Sequence, residues 1–142
     1  MFSNIVVGTD GSETAKLAVS LAADLAKRHG AVLHVVNAYN VPTGGIGAQV
    51  AGATAVSHQG ISAEASKKLL AEVAQAVSGA KVETHPGAGD PADVVISVAE
   101  QVGADLIVVG SKGMHGIRRV IGSIPNTIAH QSPCHVLIAK TT

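Results

Sequence analysis

Gly110-Ser111-Lys112-Gly113, then eight residues from Met114 to Ile121, then Gly122-Ser123, is the arrangement in this chain most suited to chemistry. Glycines at such positions let the main chain approach an anion closely and present its amides to it. If Gly122-Ser123 opens a helix, the unpaired N–H groups there and the helix dipole favour negative charge by roughly 0.3–1 kcal/mol. Ser123 can cap that helix or donate its hydroxyl to a phosphate, and Pro125 fits a first turn that needs no donor. Asp10 closes another apolar run and is an acceptor suited to ribose hydroxyls or a phosphate-bound Mg²⁺. Taken singly, these glycines would only shape turns and Asp10 would cap a helix. The phosphate reading gains weight if the fold brings them together.

Other candidates are weaker. Arg118 and Arg119 have the forked donors that grip phosphate bidentately, but exposed arginines more often solvate a surface, and Lys112 shares that ambiguity. His115 is a further phosphate-contact candidate. No G-x-x-x-x-G-K-[ST] run occurs, so this is no Walker A loop. The seven histidines form no H-x-x-x-H pair on one helix, and Cys134 is the only cysteine, so no metal site is expected. His34 and His135 read as structural residues inside strands. Cys134 reads as a small packing residue without a base partner.

Composition narrows the classes. Hydrophobic residues make up 46% of the chain and charged residues 14%, which excludes intrinsic disorder. The 142 residues suit a single domain spanning 1–142. Ten basic and ten acidic residues cancel, and Phe2 and Tyr39 are the only aromatics besides histidine. Nucleic-acid binding usually needs a basic surplus and stacking aromatics, so neither DNA nor RNA is an expected partner. Any base bound here must rest between aliphatic side chains. A lone cysteine, no leader-like start and no apolar run of membrane-spanning length point to a cytoplasmic protein without membrane attachment.

The elements that would position the glycines follow from periodicity. Ile5–Asp10 is a strand and turn, followed by a helix capped by Ser12, with Ala15, Leu17, Ala18, Leu21, Ala22 and Leu25 on its inner face and Gly30 at its end. Val32–Val36 is a second strand. The uncharged stretch from Val41 to Ser57 is a long connection of the kind that is either a functional lid or a disordered segment. A helix follows over about residues 61–77, with Ala65, Leu69, Val73 and Ala76 inward. Val82–Thr84 is a weak strand, Gly87–Gly89 a turn, and Asp90-Pro91 a cap and first residue for a helix reaching Val102. Asp105–Gly110 is the most apolar strand. A helix to about Gln131 and a strand over Cys134–Ala139 complete the set.

Such alternation implies an α/β fold of three layers, an open parallel sheet with helices on both faces. Ile5–Val7 and Leu106–Val109 are continuously apolar, as strands buried on both faces must be. If these two central strands flank the switch point of the sheet, a ligand would bind at their carboxyl ends, which carry Thr9-Asp10 and Gly110–Gly113.

Ile5-Val6-Val7-Gly8-Thr9-Asp10-Gly11-Ser12, the Asp105–Gly110 strand and the Gly110…Gly113…Gly122-Ser123 series together resemble the universal stress protein family, in order and over essentially the whole chain. The resemblance implies a flavodoxin-like or Rossmann-like five-stranded sheet in the order 3-2-1-4-5 that binds ATP or a related adenine nucleotide. By position, Thr9 and Asp10 would border the adenosine and the backbone of Val35 would meet the adenine. Gly110 would approach the ribose, and Gly113, Gly122, Ser123 and Ile124 would line the phosphates. The connection from Gly113 to Gly122 is one residue shorter than is usual in the family. A shorter connection narrows the phosphate channel and sets AMP and cyclic AMP beside ATP, with which Mg²⁺ would travel.

Three functions compete: a nucleotide-binding regulatory module, an enzyme, and a ligand-free interaction protein. Nucleotidyl transferases of similar topology carry His-x-Gly-His where this chain has Thr9-Asp10-Gly11-Ser12. A hydrolase needs a group to position water, and Asp10 is the only carboxylate placed near the site. The expectation is therefore a dimeric, ATP-binding stress-response module with no catalytic residue, capable at most of slow hydrolysis or self-phosphorylation. His135–Ala139, an apolar strand at the sheet edge, is the surface expected to pair with its copy in a homodimer.

Overall fold

The computed structural model describes residues 1–41, 61–111 and 123–141. In chain order these form β1 (Asn4–Gly8), α1 (Glu13–His29), β2 (Val32–Tyr39), α2 (Ala63–Ala76), β3 (Lys81–Ala88), α3 (Pro91–Val102), β4 (Leu106–Gly110), α4 (Ile124–Gln131) and β5 (His135–Ala139). All strand pairs are parallel and the sheet order is β3-β2-β1-β4-β5, as expected. Among the described residues no helix is long and apolar enough to cross a membrane.

The side-chain period of two sends alternate residues of the central strands to opposite layers. Ile5, Val7, Leu33, Val35 and Val108 pack with Ala18, Ala22 and Ala26 of α1 and Leu70 of α2. Val6, Val36, Ile107 and Val109 pack with Val95 and Ala99 of α3 and Ile128 of α4. Both faces of β1 and β4 are therefore buried, which is why those strands carry no polar alternation. Each such valine or isoleucine contributes about 1.5–3 kcal/mol by leaving water.

Local signals end the helices. Ser12 Oγ accepts from Ala15 N at 3.2 Å, and Gly30 closes α1 in the left-handed region at φ 66°. Asp90 caps α3 with Pro91 in its first turn. Ser62 caps α2, so that helix begins at Ala63 rather than 61 and stops at Ala76.

Several expectations need correction. On α1 the buried stripe is Ala18, Val19, Ala22 and Ala26, while Leu17 and Leu21 are exposed. On α2, Ala65 and Ala76 are exposed, and Ser66 and Leu70 are buried instead. The α2 face is turned because Ser66 Oγ donates to Asn37 Oδ1 at 2.6 Å, a bond that pulls a polar residue inward. β2 and β3 are both longer than expected. They pair without interruption from Val32–Lys81 to Tyr39–Ala88, so Gly87 and Ala88 are strand rather than turn. Pro86 is tolerated because β3 is an edge strand. β4 starts at Leu106, since the Asp105 carboxylate is used to accept from Ser3 N at 2.8 Å and Asn4 N at 3.2 Å. Of the stretch Val41 to Ser57, only the exposed Val41 lies within the described residues.

Candidate functional site

β1 has β2 on one side and β4 on the other, so the connections after β1 and β4 leave to opposite layers and open a crevice between them. A cavity of about 260 Å³ lies there. Gly8, Thr9 and Asp10 from the end of β1, and Val109 and Gly110 from the end of β4, form its base. Val36, Asn37 and Ala38 of β2 line one side, and Val95, Ile124, Pro125 and Ile128 the layer of α3 and α4. Ser12, Thr14 and Ala15 at the start of α1 complete it, with Thr141 beyond β5.

A chain of hydrogen bonds holds the β1 end in place. Thr9 N donates to Val36 O at 2.9 Å, and Thr9 O accepts from Asn37 Nδ2 at 2.7 Å. Asn37 is buried and is itself oriented by Ser66, so α2 braces the cleft through two side chains. Thr9 Oγ1 accepts from Gly11 N at 3.1 Å, and Asp10 Oδ1 accepts from Ser12 N at 2.9 Å. Gly11 has φ 82°, and a Cβ there would stand 2.9 Å from Leu69 Cδ1, so the turn requires glycine.

The β4 end is built differently. Ser111 N donates to Ala139 O at 2.8 Å, and Ser111 Oγ accepts from Thr141 N at 2.9 Å. Thr141 Oγ1 is buried, lines the cleft and has no hydrogen-bond partner among the described residues. A Cβ on Gly110 would lie 3.1 Å from that hydroxyl, so Gly110 keeps the floor of the cleft open beside it. Ser123 caps α4 by accepting from Asn126 N at 3.3 Å and is buried, with its own O–H proton left over from that bond.

The structure thus gathers Thr9, Asp10, Gly110 and Ile124 around one cleft, with Ser123 at the adjoining helix start. The side chain of Val35 is fully buried on the α1 side, so only its backbone is left for the expected adenine contact, while Val36, Asn37 and Ala38 line the cleft beside it. Gly113 and Gly122, with Lys112, His115, Arg118 and Arg119, lie outside the described residues. Sequence reasoning missed Asn37, Ser66 and Thr141. Only Asn37 had a signal, a polar residue closing an apolar run. Cys134 is half-buried and packs with the α3 layer, its backbone tied to Ser132 Oγ, as expected of a packing residue. His34 is buried with partners on both ring nitrogens, and His135, within β5 as expected, is exposed.

Residues 1–140 match the family model described as the universal stress protein family. The chain belongs to the universal stress protein family. A relative from Staphylococcus haemolyticus named for the same family is 32% identical over 142 residues, 99% of this chain and 86% of its own length. A crystal structure of a universal stress protein in complex with cAMP superposes with a TM-score of 0.79 at 31% identity, over 99% of both chains. The universal stress protein of Archaeoglobus fulgidus in complex with dAMP shares the fold, with a TM-score of 0.62 at 24% identity over 97% of this chain and 98% of its own.

Proposed function

We propose that this universal stress protein is a one-domain regulatory module that binds an adenine nucleotide in the cleft between the ends of β1 and β4. The observation that carries the reading is the buried Thr141 hydroxyl, without a hydrogen-bond partner among the described residues, next to Gly110 in a cleft that Asp10 also lines. A buried hydroxyl without a partner costs about 1–3 kcal/mol, and a ligand with ribose or phosphate oxygens relieves that cost. The apolar lining of Val36, Ala38, Val95 and Ile128 suits a purine held without aromatic stacking. The solved relative with cAMP supports the same class of ligand.

ATP is the leading nucleotide, its phosphates directed toward Ser123 and the start of α4, with Gly113 and Gly122 as further contacts and Mg²⁺ as companion. AMP and cyclic AMP form the second reading, favoured by the eight-residue connection after Gly113 and by the cAMP-bound relative. Asp10 is the only carboxylate among the described lining residues, which supports binding with slow turnover over efficient catalysis. A homodimer is supported by β5, which pairs only with β4 in this sheet and exposes His135 and Leu137.

Competition calorimetry with ATP, AMP and cyclic AMP on wild type and Gly110→Val tests the reading. The wild type binds at least one of them in the micromolar range, and the valine, crowding Thr141, weakens binding by about tenfold or more. Equal affinity in both proteins rules out this cleft. A preference for ATP over the other two by about a hundredfold, some 2.7 kcal/mol, removes the second reading.

A further inference from the structure

A second group of side chains stands apart from the cleft, where β2 meets the edge strand β3. We propose that His34, Glu83 and His85 form a binding site for a divalent transition-metal ion of the Zn²⁺ class. The parallel register sets His34 opposite Glu83 and Val36 opposite His85, so the period of two puts all three side chains on the same face of the sheet. His34 Nδ1 lies 2.9 Å from His85 Nε2 and 3.9 Å from Glu83 Oε1, and the three donor atoms fall within 4.8 Å of one another. Tetrahedral Zn²⁺, with bonds of about 2.0–2.2 Å, holds its ligand atoms roughly 3.3 Å apart. Small side-chain rotations at the half-exposed Glu83 and His85 therefore convert the observed triangle into a coordination triangle.

The surroundings prepare His34 as a ligand. Its Nε2 stands 3.0 Å from Asn4 Oδ1, an acceptor, so Nε2 carries the proton and Nδ1 turns its lone pair toward His85. A hydrogen bond from the far ring nitrogen is the usual means of fixing the tautomer and orientation of a metal-bound histidine, and Asn4 is the positioning residue here. Burial first, and His85 second, hold the His34 imidazole below its ordinary pKa, so the neutral form that a metal requires prevails at neutral pH. Without metal, His85 Nε2–H donates to the same lone pair, and the 2.9 Å contact is then a histidine–histidine hydrogen bond. Lys81 Nζ, 3.7 Å from Glu83 Oε2, competes for the carboxylate, but both side chains are substantially exposed and the pair is weak. Two imidazoles and one carboxylate leave a fourth position for water. A search for histidine pairs on one helix cannot find this trio, because two strands supply it.

Full-length protein freed of metal with a chelator is titrated with ZnCl₂ in a calorimeter, without nucleotide. One Zn²⁺ binds per chain, and His85→Ala and Glu83→Gln each weaken it by about tenfold or more, while His130→Ala, at an exposed helix histidine, leaves it unchanged. In wild type, the His34 and His85 imidazole ¹⁵N resonances shift together at one equivalent of Zn²⁺, a readout that needs no variant to fold. Unshifted imidazoles at that equivalence, or equal Zn²⁺ affinity in a folded His85→Ala protein, overturn the proposal and leave a hydrogen-bonded pair only. Nucleotide affinity of His85→Ala, measured separately, stays at the wild-type value, so failure here is distinct from failure at the cleft.

Discussion

Replacing Thr141 with valine separates the two consequences of its hydroxyl. The group is buried beside the cleft with no described partner, and its backbone N–H is held independently by Ser111 Oγ. Valine nearly keeps the shape and the backbone bond while removing the polar atom. An unsatisfied buried hydroxyl costs about 1–3 kcal/mol, and the lower end applies where the atom faces a cleft. Nucleotide-free Thr141→Val is therefore more stable by about 1 kcal/mol, which for a chain of this length raises Tm by about 3 °C. Nucleotide affinity moves the other way. If the hydroxyl bonds the ligand, losing a net contribution of about 0.5–1.5 kcal/mol weakens binding by roughly two- to tenfold. Calorimetric scans with and without nucleotide, joined to a binding titration, read both effects. A variant with unchanged Tm and unchanged affinity would show that cleft water already satisfies the hydroxyl and that no ligand uses it. A variant of lower Tm would show that the side chain packs in a way the geometry does not contain.

Further expectations concern the brace, a buried histidine and the edge strand. Ser66→Ala leaves the buried Asn37 Oδ1 without its 2.6 Å donor and destabilises the protein by about 1–3 kcal/mol, seen as a lower urea midpoint at unchanged m; nucleotide affinity falls with it because Asn37 lines the cleft. His34 has its pKa lowered from 6.5 by burial and then by His85, against the opposing Glu83. As pH falls below 6.5 the unfolded chain takes up a proton that native His34 refuses, so stability in chelator is level above that pH and declines below it until the native pKa is passed. Chemical denaturation across that window must show a slope that His34→Gln reduces; an identical slope in the variant contradicts the assignment. Leu137→Lys, at an exposed position of β5, converts the proposed dimer to monomer in light scattering without unfolding it, and a monomeric wild type at micromolar concentration removes the dimer.

Patterns confined to neighbouring residues determined much of this protein. Unbroken apolar runs at Ile5–Val7 and Leu106–Val109 mark strands covered on both faces, and that alone places them at the centre of the sheet. Ser12, Asp90-Pro91 and Ser123 set helix starts because a cap acts within one turn of its own position. With the sheet order in hand, Thr9, Asp10 and Gly110 had to converge, since the ends of adjacent parallel strands converge. What the tertiary structure decided involves partners far apart in sequence. The lengths of β2 and β3 come from their mutual register, which lets Pro86 and Gly87 continue a strand that local propensity would end, and carries Val36–Ala38 to the cleft lining. The α2 face is turned by one hydrogen bond between Ser66 and Asn37, 29 residues apart. Thr141 reaches the cleft because β5 lies beside β4, and His34, Glu83 and His85 meet because two strands align at one register and not the next. Periodicity records which way a side chain points relative to its neighbours in sequence; it carries no record of which distant side chain it will meet, and both the brace of the cleft and the histidine cluster are made of such meetings.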